Sequence, residues 1–339
     1  MFRNVTTPIA CLLAFAAAPA RAQDVADFYR GKSLTIYVGF SAGGGYDSYA
    51  RLLARHLARH VPGNPSTVVQ NMPGGGSVRL ANFIYEAAPR DGTVIGTFAR
   101  ATPFAPLTGQ AGANFDAARY SWIGSMTDET HVCIAASATG FEKLEDARSR
   151  ELVLAATIPS DDVSQVPKLL NGLFGTRFRV VTGYPGGTDM NLAIERGEVQ
   201  GRCGLSWTTF KAGYRPWLDE KRVRVFLQVA MTKHADLPDT PLLPDLARNA
   251  EETQILKFFA ARQLIARPFF GAPGAPVDRV AALREAFMKT MADPAFLAEA
   301  AKAEMEINPQ DGAKVEALIR EIYAMPKEIA RRAEALAGQ

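Results

Sequence analysis

Eight apolar runs of strand length alternate with stretches of helical spacing, and this alternation narrows the fold more than any other feature of the chain. SLTIYVGF leads into a helical pattern from Ser48 to His60, STVVQN into one from Val78 to Glu86, and TVIGTF follows the turn Arg90-Asp91-Gly92. A second set runs HVCIAAS, ELVLAAT, a helix over Val163 to Phe174, FRVVTGY, a helix over Thr188 to Arg196, then VQGRCGL and VRVFLQV. Strands that alternate with helices pair in parallel, because each helix carries the chain back along the sheet. The expectation is an α/β chain with mostly parallel sheets flanked by helices. The C-terminal third is helical, with amphipathic spacing over Pro276 to Ala292 and Asp311 to Ala337.

No repeat or low-complexity linker separates the two sets, which favours two lobes joined by crossing strands over two beads on a string. The crossings fall near Tyr120 to Met126 and Phe226 to Lys233. That division gives a discontinuous first lobe, residues 23–124 and 232–339, around a central second lobe, residues 125–231.

At the N-terminus a basic start at Arg3, an apolar run from Ile9 to Ala17 and small residues Ala20 and Ala22 read as a secretory signal peptide over residues 1–22. The run falls short of the roughly 20 apolar residues that a spanning helix needs. Cys11 sits early in it, not at its end, which argues against a lipid anchor. Cleavage near Ala22 removes Arg3 and Arg21, so the formal charge of +3 falls to about +1, far from a nucleic-acid or membrane-surface binder. Cys133 and Cys203 then remain, each in a strand-like run, and are read either as a disulfide or as two buried thiols.

The first turn carries two chemistries at once. Gly39-Phe40-Ser41-Ala42-Gly43 matches the elbow that presents a hydrolase's nucleophilic serine, and Gly43-Gly44-Gly45 opening a helix matches an anion cradle of bare backbone N–H groups. An elbow needs several strands built before it, and only about ten residues lie between Gln23 and Leu34. The downstream histidines, His131 and His234, have no distinctive setting. An exported serine hydrolase using Ser41 is therefore the alternative, and holding an anion the preferred reading. A dinucleotide fingerprint fails for lack of a third glycine after Gly43 and Gly45, and a Walker lysine is missing. His56 and His60 lie four apart on one helix, but Leu57 stands where a zinc protease needs Glu, so neither a metal nor another cofactor is expected. Trp122 and Trp217 are read as packing.

Similar glycine turns recur at Asn71-Met72-Pro73-Gly74-Gly75-Gly76-Ser77 and Tyr184-Pro185-Gly186-Gly187-Thr188-Asp189, each after a strand and before a helix. In open α/β sheets ligands bind at that edge. With Ala88-Pro89-Arg90-Asp91-Gly92-Thr93, Leu237-Pro238-Asp239-Thr240-Pro241 and Ala272-Pro273-Gly274-Ala275-Pro276, these turns resemble, in order and over essentially the whole mature chain, the motifs of the Bug family. These are the TctC-like extracytoplasmic solute receptors of tripartite tricarboxylate transporters. The first loop departs from the family's pattern with Gly39 for Pro and Tyr46 for a small residue, and the second with Met72 for Arg.

The resemblance implies a two-lobed periplasmic binding protein, type II-like, that closes on a small organic carboxylate between its lobes and delivers it to membrane permease subunits. It implies a monomeric, non-catalytic receptor. It also carries over Gly43, Gly44, Gly45 and Asp47 on one side of the cleft and Gly186 and Gly187 on the other, with Ser160 and Asp161 at a further loop that departs from the family. Ser41 would add one hydrogen bond. Tyr46, Arg100, Ser206 and Trp207 are the candidates for reading the rest of the ligand. Tyr46 and Trp207 either stack on an aromatic acid or line the wall, and Arg100 either pairs with a surface acid or offers its fork to a second ligand carboxylate.

Overall fold

A computed structural model of the chain describes residue 1 and residues 24–43, 45–157, 162–184 and 186–338. The signal segment after Met1, Gly44, Ser160 and Asp161 lie outside the described residues, as does Pro185. Eleven strands among the described residues form two sheets. The first holds β1 (Ser33–Val38), β2 (Ser66–Asn71), β3 (Val94–Thr97), β4 (Ser121–Ser125), β10 (Pro268–Gly271) and β11 (Gln310–Asp311). The second holds β5 (His131–Ala136), β6 (Leu152–Ala155), β7 (Phe178–Val181), β8 (Gly201–Ser206) and β9 (Val223–Val229). Their orders are β11-β4-β10-β3-β1-β2 and β7-β6-β8-β5-β9.

Both sheets are mixed, which corrects the expectation of mostly parallel ones. β1 pairs in parallel with β2 and β3, and β6 with β7 and β8, as helical crossovers require. β10 runs antiparallel between β3 and β4, and β5 antiparallel between β8 and β9. The cause is the crossing. β4 ends at Ser125 and β5 starts at His131, so the chain enters the second sheet from the end where the first sheet's strands stop. It must then run against the strands that finish there. β10 re-enters the first sheet in the same way. The carboxyl ends of β1 to β4 and of β6 to β9 consequently share one edge with the crossings, and that edge carries the turns.

Each helix sits where its apolar face predicts. Gly45–Leu57 buries Tyr49, Ala50, Leu52, Leu53 and Leu57 over the first sheet, and Asp162–Phe174 buries Val166, Leu169 and Leu170 over the second. The long amphipathic stretch at the C-terminus is two helices, Gly312–Tyr323 and Lys327–Gly338, split at Pro326, whose ring cannot donate to the ladder. Lys327–Gly338 packs on Asp162–Phe174, so the end of the chain rests on a helix of the second sheet. Cys133 on β5 and Cys203 on the adjacent β8 form a disulfide.

Candidate functional site

The first glycine turn is shaped by Asp47, from the opening turn of the helix it precedes. Asp47 Oδ2 accepts from the Gly43 N–H at 2.8 Å and from Arg51 Nε at 2.8 Å, and its Oδ1 accepts from Asn71 Nδ2 at 2.9 Å. The same Asn71 amide donates to the Phe40 carbonyl at 2.9 Å. The Arg51 hydrogen bond, joined by those of Gly43 and Asn71 and opposed by burial, holds this carboxyl down at about 2. Both carboxylate oxygens are thus occupied by the protein, and the turn is held at both ends. Gly43 adopts φ +87°, the left-handed region that favours glycine.

Ser77 ties the neighbouring turns together. Its hydroxyl donates to the Gly39 carbonyl at 3.1 Å and accepts from the Ala99 N–H at 3.3 Å, so the turns after β1, β2 and β3 form one surface. On that surface Tyr46 stacks on Phe40, with ring centroids 4.5 Å apart, and its hydroxyl accepts from the Arg100 N–H at 3.0 Å. The guanidinium of Arg267 lies 4.8 Å from the centre of the Tyr46 ring.

This surface is one wall of a cavity of about 710 Å³. Tyr46, Gly76, Arg100 and Arg267 line it from the first sheet's side and Asp162 and Gln165 from the helix of the second, together with Arg262 and Glu334. Its charged groups form one chain. Arg100 Nη1 donates to Glu129 Oε2 at 3.0 Å and its Nε lies 3.3 Å from Asp162 Oδ2. Arg262 pairs with Asp162 at 3.1 Å and with Glu334 at 2.9 Å, and Arg267 lies 3.6 Å from Glu129. Burial alone would raise the Glu129 carboxyl, but the His131 hydrogen bond and the charges of Arg100 and Arg267 outweigh it and keep the group ionised well below the usual range. Asp162 is likewise lowered, with Arg100 and Arg262 overcoming its burial. His131 is pushed down by burial and by Arg100, so it is neutral, donates Nε2–H to Glu129 at 2.8 Å and leaves Nδ1 without a partner among the described residues.

Of the residues singled out in the sequence, Tyr46 and Arg100 line the cavity. Arg100 pairs not with a surface acid but with two largely buried ones, Asp162 on the cavity wall and Glu129 outside its lining. Gly45 opens its helix beside Arg267, whose Nη2 is 3.9 Å from where a Cβ would stand. Ser41 and Gly43 are exposed on the turn, and Gly186 and Gly187 start the Gly187–Glu195 helix, the Gly187 carbonyl accepting from Arg202 at 3.0 Å. Ser206 ends β8 and is half-buried, whereas Trp207 is buried in the second sheet's core, its indole N–H donating to Asp236 at 3.1 Å. The histidines offered as partners for Ser41 are engaged elsewhere: His131 with Glu129, and His234 Nδ1 with the Asp236 N–H at 3.0 Å. His56 and His60 face the acids of the next helical layer, Glu299 at 2.6 Å and Asp293 at 2.8 Å.

Sequence reasoning missed Glu129, Asp162, Arg262 and Arg267. For the two arginines a signal existed. They interrupt the apolar stretch FFAARQLIARPFF, and a charge in a buried run is retained only when paired.

The fold is that of periplasmic binding proteins. The chain aligns with a TctC solute binding protein from Polaromonas at a TM-score of 0.70 and 15% identity, over 90% of this chain and 99% of that one. MatC from Rhodopseudomonas palustris, solved with bound malate, aligns at 0.56 and 18% identity over 90% and 99%. Another protein of that organism, solved with adipate, aligns at 0.56 and 18% identity over 91% and 97%. No protein-family model matches the sequence, and no curated protein matches it either.

Proposed function

We propose that the protein is a TctC-like solute receptor that binds a small organic carboxylate in the cleft between its two sheets and delivers it to a tripartite membrane transporter. The observation that carries this reading is the cavity of about 710 Å³ at the shared edge of the strand ends, into which Arg100, Arg262 and Arg267 bring guanidinium groups. Guanidinium forks match carboxylates in shape and charge, and the edge is where open α/β sheets take ligands. Malate and adipate in two structural neighbours support the ligand class.

The rest of the reading follows from export. The mature chain starts near Gln23, works in the periplasm as a monomer without a cofactor, and has lobes at residues 23–124 with 232–339 and at 125–231. No helix among the described residues is long and apolar enough to cross a membrane. A thermal-shift screen of the mature protein against mono-, di- and tricarboxylates and aromatic acids tests the function, because a tight ligand raises the melting temperature by mass action. At least one acid should shift it. A serine-reactive probe should leave Ser41 unlabelled, and stoichiometric labelling there would replace this reading with the hydrolase.

A further inference from the structure

Asp162 belongs to a helix of the second sheet, yet its carboxylate faces side chains brought by the other parts of the chain. It is 8% exposed. Oδ1 accepts from Arg262 Nη1 at 3.1 Å, Oδ2 from Gln263 Nε2 at 3.2 Å, and Arg100 Nε stands 3.3 Å from Oδ2. Two guanidiniums and an amide around one carboxylate make the donor set a receptor offers to an acidic ligand. Here it lies on the wall of the cavity itself.

Three arginines and two acids line the cavity, and with Glu129, which pairs with two of those arginines outside the lining, the charges of the network balance among the described residues. Arg100, Arg262 and Arg267 face Glu129, Asp162 and Glu334, and His131 between them is neutral. An arriving carboxylate therefore finds Arg100 and Arg262 each facing two acids, whereas Arg267 stands 3.6 Å from Glu129 and its Nε, like that of Arg262, has no partner among the described residues. A ligand that engages the forks of Arg100 and Arg262 takes the place of a resident acid. Glu129 is held by Arg100, Arg267 and His131 in the crossing, and Glu334 pairs with Arg262 and accepts from Gln165. Among the described residues Asp162 alone is shared by Arg100 and Arg262, and it joins the strand-end turn after β3 to the opposite helix.

We propose, building on the carboxylate-receptor reading, that Asp162 is a built-in stand-in for the ligand's carboxylate. It ties the two walls of the cleft together while the cavity is empty, and it yields Arg100 and Arg262 to the ligand that enters. Affinity is then set by a competition with an acid already tethered in place.

Thermal melts and calorimetry on wild type, Asp162→Asn and Asp162→Ala test this. With acetate as the probe, the Ala variant should be stabilised in a concentration-dependent way that wild type does not show. Any acid of the carboxylate panel that shifts wild type should bind the Asn variant at least roughly tenfold tighter, since its arginines are no longer neutralised. Should one variant fail to fold, the other carries the comparison, because each has its own probe. Absence of acetate stabilisation beyond wild type, or binding of the panel acid that is equal or weaker in the variants, overturns the stand-in and leaves the receptor reading intact. If no acid of the panel shifts any of the three proteins and acetate is equally silent, both are lost.

Discussion

Replacing Asp47 by Asn removes the charge from the clamp on the first glycine turn while leaving an acceptor in place. Folding lowers this carboxyl from 3.8 to about 2, so the folded chain favours the ionised form. At about 1.36 kcal/mol per pKa unit, the gap corresponds to roughly 2 kcal/mol of stability. Arg51 is 44% exposed, and screening of its charge trims the figure to about 1 to 2 kcal/mol. Because the folded value is the lower one, the contribution is complete above 3.8 and is lost as pH falls through about 2. Urea unfolding of both proteins between about pH 7 and pH 3 reads this out. The Asn variant should be less stable by about 1 to 2 kcal/mol near neutrality, with the difference shrinking once the pH drops below about 4. A deficit that is the same at both ends of that range would show that the charge is not what matters. No deficit at neutral pH would mean that the clamp does not hold the turn.

The disulfide closes a separation of 70 residues, so changing Cys133 and Cys203 to Ser should cost about 4 kcal/mol by the chain-entropy relation, measured by denaturant unfolding with and without reductant. Gly39→Ala places a Cβ 2.5 Å from Ser77 Oγ and 2.6 Å from Ser77 Cβ, an overlap expected to cost about 1 to 3 kcal/mol. Adding Ser77→Gly should recover part of that loss, since it removes both atoms and relaxes a residue held at φ +76° but gives up the hydroxyl's bonds to Gly39 and Ala99. Arg100→Met should abolish the stabilisation of wild type by any acid the screen finds, while the melting temperature of the empty protein falls, because Glu129 and Asp162 both lose a partner. Unchanged ligand shifts in that variant would take Arg100 out of the site.

Elements whose signal is local were legible in the sequence. The Val78–Glu86 helix and the eight strand runs show their periodicity over their own length, and each of them forms. β10 was not legible, because Pro268–Gly271 is four buried residues without alternation, and only its place between β3 and β4 makes it a strand. Its reversed direction, like that of β5, follows from how the chain crosses between sheets, which no window of sequence records.

The site divides along the same line. Glycine turns announce themselves by composition, and Tyr46 could be placed on one because its neighbours in sequence are its neighbours in space. Arg100 was placed correctly at a strand end, but what it does depends on Glu129 and Asp162, which lie 29 and 62 residues away and arrive from the crossing and from the opposite helix. A guanidinium at a strand end looks available until the fold supplies its partners. Once both are present, the same arginine reads as one member of a balanced network, and the question for the cleft changes from which cation receives the ligand to which resident acid the ligand displaces.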